Sequence, residues 1–163
     1  MSNVAVILPA AGAGRRFGGK RNKIFELIRH RPLLLRTCEL FAPRHDVCHV
    51  QLVVSQADMD PVRDRFGRQL DSLGVRLCRG GDCRGESVRN ALARVPDEAD
   101  LVAVHDAVRP CVSSEWIDAV FAAAEQSAAA MLACPLHGTL KRVGDDSVIT
   151  GTVPRAGLWE AQT

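Results

Sequence analysis

Short unbroken apolar runs along the chain alternate with stretches whose apolar residues recur every three or four positions. The first run, residues 4–8 (Val-Ala-Val-Ile-Leu), is closed by Pro9 and a glycine-rich stretch. Without polar alternation, such a run predicts a strand buried on both faces. Pro32 suits the first position of a helix over residues 33–41, which ends before Pro43. Residues 49–54 predict a second strand. Asp60 and Pro61 then supply a cap and a proline start for a helix whose apolar face is Val62, Phe66 and Leu70. Residues 75–78 predict a third strand, leading into Gly80 and Gly81, and Val88, Ala91, Leu92 and Val95 mark one face of the next helix. Residues 101–104 predict a fourth buried strand, ending in His105 and Asp106. Ser113 or Ser114 caps a helix with Ile117, Val120, Phe121 and Ala124 on its buried side, and residues 130–134 predict a fifth strand stopped by Pro135.

This repetition predicts an α/β fold: a Rossmann-like, mostly parallel sheet with helices on both faces. The pattern changes after Pro135. Residues 139–143 and 148–150 flank Gly144-Asp145-Asp146, a hairpin signature, and suggest a projecting β-arm near the C-terminus rather than another strand–helix unit. Residues 1–135 are accordingly expected to form one α/β unit and residues 136–163 the arm.

Composition narrows the classes. The 163 residues suit a single domain with a continuous core. A net charge of +2 argues against a general polyanion binder, so no nucleic-acid partner is expected. No segment approaches the roughly 20 apolar residues of a membrane span, and the first apolar run is too short for a signal-peptide core. The six cysteines form no C-x-x-C pair, which favours a reduced cytoplasmic protein over a disulfide scaffold or a zinc site.

In parallel sheets ligands bind beyond the carboxyl ends of the strands, and three polar blocks fall at those ends. The first is Pro9, Ala10, Ala11, Gly12, Ala13 and Gly14, followed by five basic residues, Arg15, Arg16, Lys20, Arg21 and Lys23. Small residues let backbone N–H groups approach phosphate oxygens, and the cations cover them from outside. The P-loop pattern fails because Gly19-Lys20 is followed by Arg21. The dinucleotide fingerprint fails because Gly12, Gly14 and Gly18 are wrongly spaced, and the second strand ends in Ser55 rather than an acid. The surplus of cations suits a triphosphate, and hence nucleotidyl transfer.

In the second block, Gly80, Gly81 and Asp82 precede Ser87. The glycines either bring backbone to a base edge or merely turn the chain, and Ser87 either bonds a pyrimidine carbonyl or caps the helix; the residues alone favour the plainer alternatives. In the third, Asp106, Ala107 and Arg109 follow a strand. The carboxylate either holds Mg²⁺ with phosphate oxygens or closes a turn with Arg109, and the residues leave both open. His105 reads as structural.

Taken in order, these blocks resemble the 2-C-methyl-D-erythritol 4-phosphate cytidylyltransferase family. Residues carrying the resemblance are Pro9 to Gly12 with Gly14 and Arg16, Lys23, Gly80-Gly81 with Arg84 and Ser87-Val88, and His105-Asp106-Ala107 with Arg109-Pro110. Thr139, Lys141-Arg142, Thr152, Arg155, Leu158-Trp159 and Ala161-Gln162-Thr163 extend it to the chain's end. The resemblance implies transfer of CMP from CTP to 2-C-methyl-D-erythritol 4-phosphate with release of pyrophosphate, in non-mevalonate isoprenoid synthesis. It implies Arg16, Lys23 and Arg155 as catalytic residues and Asp106 as the Mg²⁺ ligand. Pro9, Ala10, Ala11, Gly12, Ala13, Gly14, Asp106 and Ala107 would hold the nucleotide, and Gly80, Gly81, Asp82 and Ser87 would read cytosine. Arg109, Thr139 and Arg155 would take the acceptor phosphate, Arg155 across a homodimer joined by the arms.

The chain departs from the family pattern in places. Asn22 and Ile24 stand where the family has proline and glutamine, which implies a looser loop around Lys23. Gly138 replaces an acid before Thr139. Family members continue past Ala161-Gln162-Thr163, so the chain reads as C-terminally short and, taken alone, is expected to have weak activity or none. Alternative readings are a cytidylyltransferase for another polyol phosphate such as ribitol 5-phosphate, or a non-catalytic CTP-binding or dimerisation fragment.

Overall fold

In the computed structural model, which describes residues 2–12 and 22–162, the first apolar run becomes β1 (Val4–Pro9), an interior strand of a four-stranded sheet. A two-strand turn follows, β2 (Leu27–Ile28) against β3 (Arg31–Pro32), with Arg29 and His30 at positive φ. Left-handed backbone disfavours these side-chain types; Arg36 steadies the turn by donating to the carbonyls of Ile28 and Arg29. Helix α1 (Leu33–Phe41) comes next, then β4 (Val47–Val54), α2 (Met59–Ser72), β5 (Val75–Arg79), α3 (Arg84–Leu92), β6 (Leu101–Val104) and α4 (Ser114–Ser127).

The main sheet has the order β5-β4-β1-β6 and its pairings are parallel. Val4, Val6 and Leu8 face one way and pack with Leu34, Leu35 and Phe41 of α1, Val62, Phe66 and Leu70 of α2, and Ile117 and Phe121 of α4. Ile7 faces the other way, with Val53, Cys78 and Ala91 of α3. Helices thus cover both faces, which is why β1 carries no polar residue. Each large side chain buried in this way contributes roughly 1.5–3 kcal/mol.

Several expectations shift. Helix α2 starts before Asp60: a 3-10 turn, Gln56–Asp58, capped by Ser55, runs directly into Met59. Pro61 then lies in the first helical turn, where its missing N–H has no helical acceptor to lose. Leu92 does not join the buried face of α3; it is exposed, while Ala91 is buried and Val88 and Val95 pack beside it. Strand β6 is not buried on both sides, since Val102 and Val104 are 42% and 38% exposed. These two pair with Ala5 and Ile7 of β1, while Leu101 and Ala103 pack on the core. A groove of about 520 Å³ runs beside β6 and α4, lined by Val102, Val104, Trp116, Val120 and Met131 among others.

The fifth predicted strand is β7 (Leu132–Pro135), and Pro135 ends it from within. Rather than extending the parallel sheet, β7 pairs antiparallel with β10 (Trp159–Gln162). Between them β8 (Leu140–Val143) and β9 (Ile149–Val153) form the hairpin expected around Gly144. Among the described residues no helix is long and apolar enough to cross a membrane.

Candidate nucleotide site at the strand ends

Because β1, β4, β5 and β6 run parallel, their carboxyl ends bring the three polar blocks together. Backbone bonds continue the ladder into the loops: Ala10 N–H donates to Val53 O (2.7 Å), Gly80 N–H to Val54 O (2.8 Å), and Ala107 N–H to Pro9 O (3.3 Å). Pro9, Ala10, Ala11 and Gly12 thus lie between the Gly80 and Asp106 segments. Ala13, Gly14, Arg15, Arg16, Lys20, Arg21 and Thr163 lie outside the described residues.

Gly80 is the contact point of the first two blocks. A Cβ there would stand 2.7 Å from the Ala11 Cβ and 2.8 Å from Ser87 Oγ, so only glycine fits. Ser87, 2% exposed, does not cap the helix. Cys83 is the N-cap, its sulfur accepting from Glu86 N–H, and Glu86 reaches back to accept from Asp82 N–H at 2.8 Å. The Ser87 hydroxyl donates to Cys83 O (2.9 Å) and accepts from Gly81 N–H (3.0 Å). In this arrangement the hydroxyl hydrogen is engaged within the turn, and one lone pair remains to accept from an amino group.

The third block is tied to the second by a residue to which the sequence assigned no role. Arg84, the first residue of α3, donates to Asp106 Oδ1 at 2.7 Å. Arg109 donates through Nε to Asp106 Oδ2 at 3.1 Å, closing the turn. Asp106 is partly shielded, its side chain 23% exposed. Burial pushes the His105 imidazole below its ordinary value; the neutral ring donates Nε2–H to Arg109 O at 2.9 Å and packs 5.1 Å from the Phe41 ring, so its role is structural. Among the described residues no three His, Cys, Asp or Glu side chains cluster as a metal site. A lone carboxylate fits Mg²⁺, which binds through one or two carboxylates and completes its shell with phosphate oxygens and water. One guanidinium would yield its oxygen.

Lys23 opens a 3-10 turn, Lys23–Phe25, whose N-cap is Asn22. The side chain of Asn22 is bonded to Ala10, Ile24 and Asp58, so the described end of the loop is held where a looser one was expected. Its φ of −62° and ψ of 130° are dihedrals that proline also adopts. Thr139 and Arg155 are exposed among the C-terminal strands, and Arg155 bonds the His137 carbonyl. Neither is hydrogen-bonded to a described residue of the strand-end cluster. Arg84, Cys83 and Asn22 were the residues missed; an arginine at the start of a helix that follows a glycine pair was the available signal for the first.

A parallel sheet carrying a small-residue loop, a glycine pair and a carboxylate at adjoining strand ends suits a nucleotidyltransferase-type enzyme. A family model for 2-C-methyl-D-erythritol 4-phosphate cytidylyltransferase matches residues 4–163, and the chain belongs to that family. The enzyme of that name from Rhodopirellula baltica is 38% identical over 173 residues, covering 99% of this chain and 70% of the relative. The bifunctional enzyme IspD/IspF from Desulfotalea psychrophila is 37% identical over 164 residues, covering 100% of this chain and 42% of the relative. The crystal structure of 2-C-methyl-D-erythritol 4-phosphate cytidylyltransferase from Thermus thermophilus superposes with a TM-score of 0.71 at 30% identity, covering 99% of this chain and 68% of that one. The chain therefore spans about seven tenths of the first relative and about two fifths of the second.

Proposed function

We propose that the polypeptide carrying this chain transfers CMP from CTP to 2-C-methyl-D-erythritol 4-phosphate and releases pyrophosphate. The observation that supports it most is the meeting of the three blocks: Gly80 against Ala11 and Ser87, and Arg84 on Asp106. An acceptor phosphate oxygen forms the new bond to the α-phosphorus while the bond between that phosphorus and its bridging oxygen breaks, and the electron pair leaves with pyrophosphate. Such a transfer needs positioning and charge neutralisation more than covalent help. Arg16 and Lys23 neutralise the α-phosphate; Ala11 and Gly12, with Ala13 and Gly14, present backbone N–H groups to the phosphates from the loop that Pro9 and Ala10 begin, the Ala10 N–H being held by Val53 O; Asp106 and Ala107 orient the ribose end. Gly80, Gly81 and Asp82 offer backbone atoms to cytosine, and the spare Ser87 lone pair suits an amino hydrogen.

Bound Mg²⁺ at Asp106 would neutralise and align phosphate oxygens. Arg109, Thr139 and Arg155 take the acceptor phosphate. Thr139 and Arg155 are exposed and not bonded to the described strand-end residues, which suits delivery from the arm of a second copy. Residues 1–135 then serve as the nucleotide unit and residues 136–163 as the arm of a cytoplasmic homodimer. In a pyrophosphate-release assay on the native polypeptide with CTP and Mg²⁺, methylerythritol phosphate should be turned over at least about tenfold faster than ribitol 5-phosphate, a margin a site contacting the acceptor supplies. Preference for ribitol 5-phosphate moves the assignment to that acceptor. No CTP-dependent turnover with either overturns the proposal.

A further inference from the structure

Both amide hydrogens and one carbonyl lone pair of the Asn22 side chain are engaged at the mouth of the site. Its Nδ2 donates to Ala10 O at 3.2 Å and to Asp58 Oδ2 at 2.9 Å, while its Oδ1 accepts from Ile24 N–H at 3.3 Å. Two acceptors on one side and a donor on the other fix the amide orientation, because a flipped amide would face oxygen with oxygen twice. Asp58 is held in turn, its Oδ2 accepting from Ser55 Oγ at 2.6 Å and its N–H donating to that hydroxyl at 3.2 Å. One side chain therefore joins the exit of β1, the exit of β4 and the turn that begins with Lys23.

That turn is anchored on its far side too. Ile24 is 1% exposed in the core, and the Phe25 ring lies 6.2 Å from Phe66 with the Arg65 guanidinium over both. Phe25 N–H donates to Asn22 O and Glu26 N–H to Lys23 O, both at 3.1 Å. Lys23 thus projects from a backbone fixed before and after it. A lysine ammonium on a four-carbon stem is otherwise a mobile point charge, and displacement by about 1 Å of a group that stabilises a transition state can cost about 100-fold in rate.

We propose that Asn22, braced by Asp58 and Ser55, is a positioning residue that sets the Lys23 turn for phosphoryl-group neutralisation. This rests on the assignment of Lys23 to the α-phosphate. It concerns a different residue and a different link, the hydrogen bonds that hold the turn rather than the charge that meets the substrate.

The test is a double-mutant cycle with Asn22→Ala and Lys23→Ala in the native polypeptide, read on kcat for pyrophosphate release and alongside amide hydrogen exchange. Lys23→Ala should lower kcat about 100-fold with a far smaller change in CTP affinity, and Asn22→Ala about 10-fold; the double variant should be no slower than Lys23→Ala alone. Losses that multiply would overturn the inference, since Asn22 would then act independently of the lysine. Asn22→Asp keeps the shape but removes both donors and sets a carboxylate against Asp58, so it should be at least as slow as Asn22→Ala; wild-type rates in Asn22→Asp would also overturn it. Exchange at Ile24, Phe25 and Glu26 should quicken about tenfold in Asn22→Ala while protection in β1 and β4 holds. Unchanged exchange refutes the bracing even without turnover data. If Lys23→Ala leaves kcat intact, the lysine assignment fails by itself, and the exchange result still reports whether Asn22 holds the turn.

Discussion

Two glycines five residues apart carry opposite consequences. At Gly80 an added methyl meets the Ala11 Cβ at 2.7 Å, a stub with no rotamer in which to retreat, and Ser87 Oγ at 2.8 Å. At Gly85, inside the first turn of α3, it meets nothing within 4 Å. Gly80→Ala should therefore push the Ala11 segment off its position and weaken CTP binding at least about tenfold, of the order expected when overpacking costs about 1–3 kcal/mol. Gly85→Ala should raise stability by about 0.5–1 kcal/mol, the helical advantage of alanine. Calorimetric titration with CTP and thermal unfolding of both variants check the pair; a harmless Gly80→Ala would mean the two blocks are not packed as described. Legibility divides along the same line. The glycines were readable as candidates because their neighbours in sequence formed a turn. The hydroxyl roles at Ser87 were not, because the capping that pre-empts them comes from Cys83, a residue seldom used as a cap.

At the scale of elements, apolar periodicity located the strands because burial on both faces leaves no polar position in β1. It misplaced the start of α2, where the Ser55 cap and a 3-10 turn precede the aspartate–proline signal, and it overstated β6, whose cover depends on neighbours that lie elsewhere in the chain. The connection between α1 and β4 carries another feature that periodicity does not mark. Arg44 grips Asp46 through Nε (2.9 Å) and Nη2 (2.6 Å) and reaches Asp118 of α4 at 2.6 Å, with its guanidinium 5.5 Å above the Phe121 ring. Side-chain exposures of 13% for Arg44 and 16% for Asp46 place this pair out of bulk water, unlike most surface ion pairs. Hydrogen bonding from Arg44 holds the Asp46 carboxyl below its ordinary value. A depressed folded value means the stabilisation is complete above the unfolded pKa of about 3.9 and drains away as pH falls from there through the folded value. Asp46→Asn should accordingly lose about 1–2 kcal/mol near neutrality, and the gap between wild type and variant should close in acid. Urea unfolding of both proteins across that range is the check, and a gap that is constant with pH removes Asp46 as the cause.

For the molecule as a whole, the sequence could announce a parallel α/β sheet but not its order, because the apolar runs are too alike to say which lie side by side. Nor could it show that β7 leaves that sheet to pair with β10. The C-terminal strands that result are rich in uncovered apolar surface: Val143, Val148, Ile149 and Trp159 are between 52% and 62% exposed, although the hairpin of β8 and β9 is regularly paired. Scattered apolar residues on a surface are ordinary, but several of them on the C-terminal strands suit an interaction face. The proposed homodimer gives that face an occupant, since a two-fold interface lets the same strands meet their own copies. It also connects with the proposed acceptor side of the site, because Thr139 and Arg155 flank these strands. Ile149→Asp would bury a carboxylate in such an interface, so it should convert a dimer to a monomer while leaving the β1 and β4 core, and its thermal transition, largely intact. Light scattering coupled to size exclusion measures the mass directly. In an assay that varies each substrate, the monomeric variant should show a raised KM for the acceptor and a KM for CTP close to wild type, because Ala11, Gly80 and Asp106 all belong to one chain. A wild-type protein that is monomeric at micromolar concentration, or an Ile149→Asp variant that loses CTP and acceptor affinity equally, would place the acceptor-binding residues within the same chain as the nucleotide.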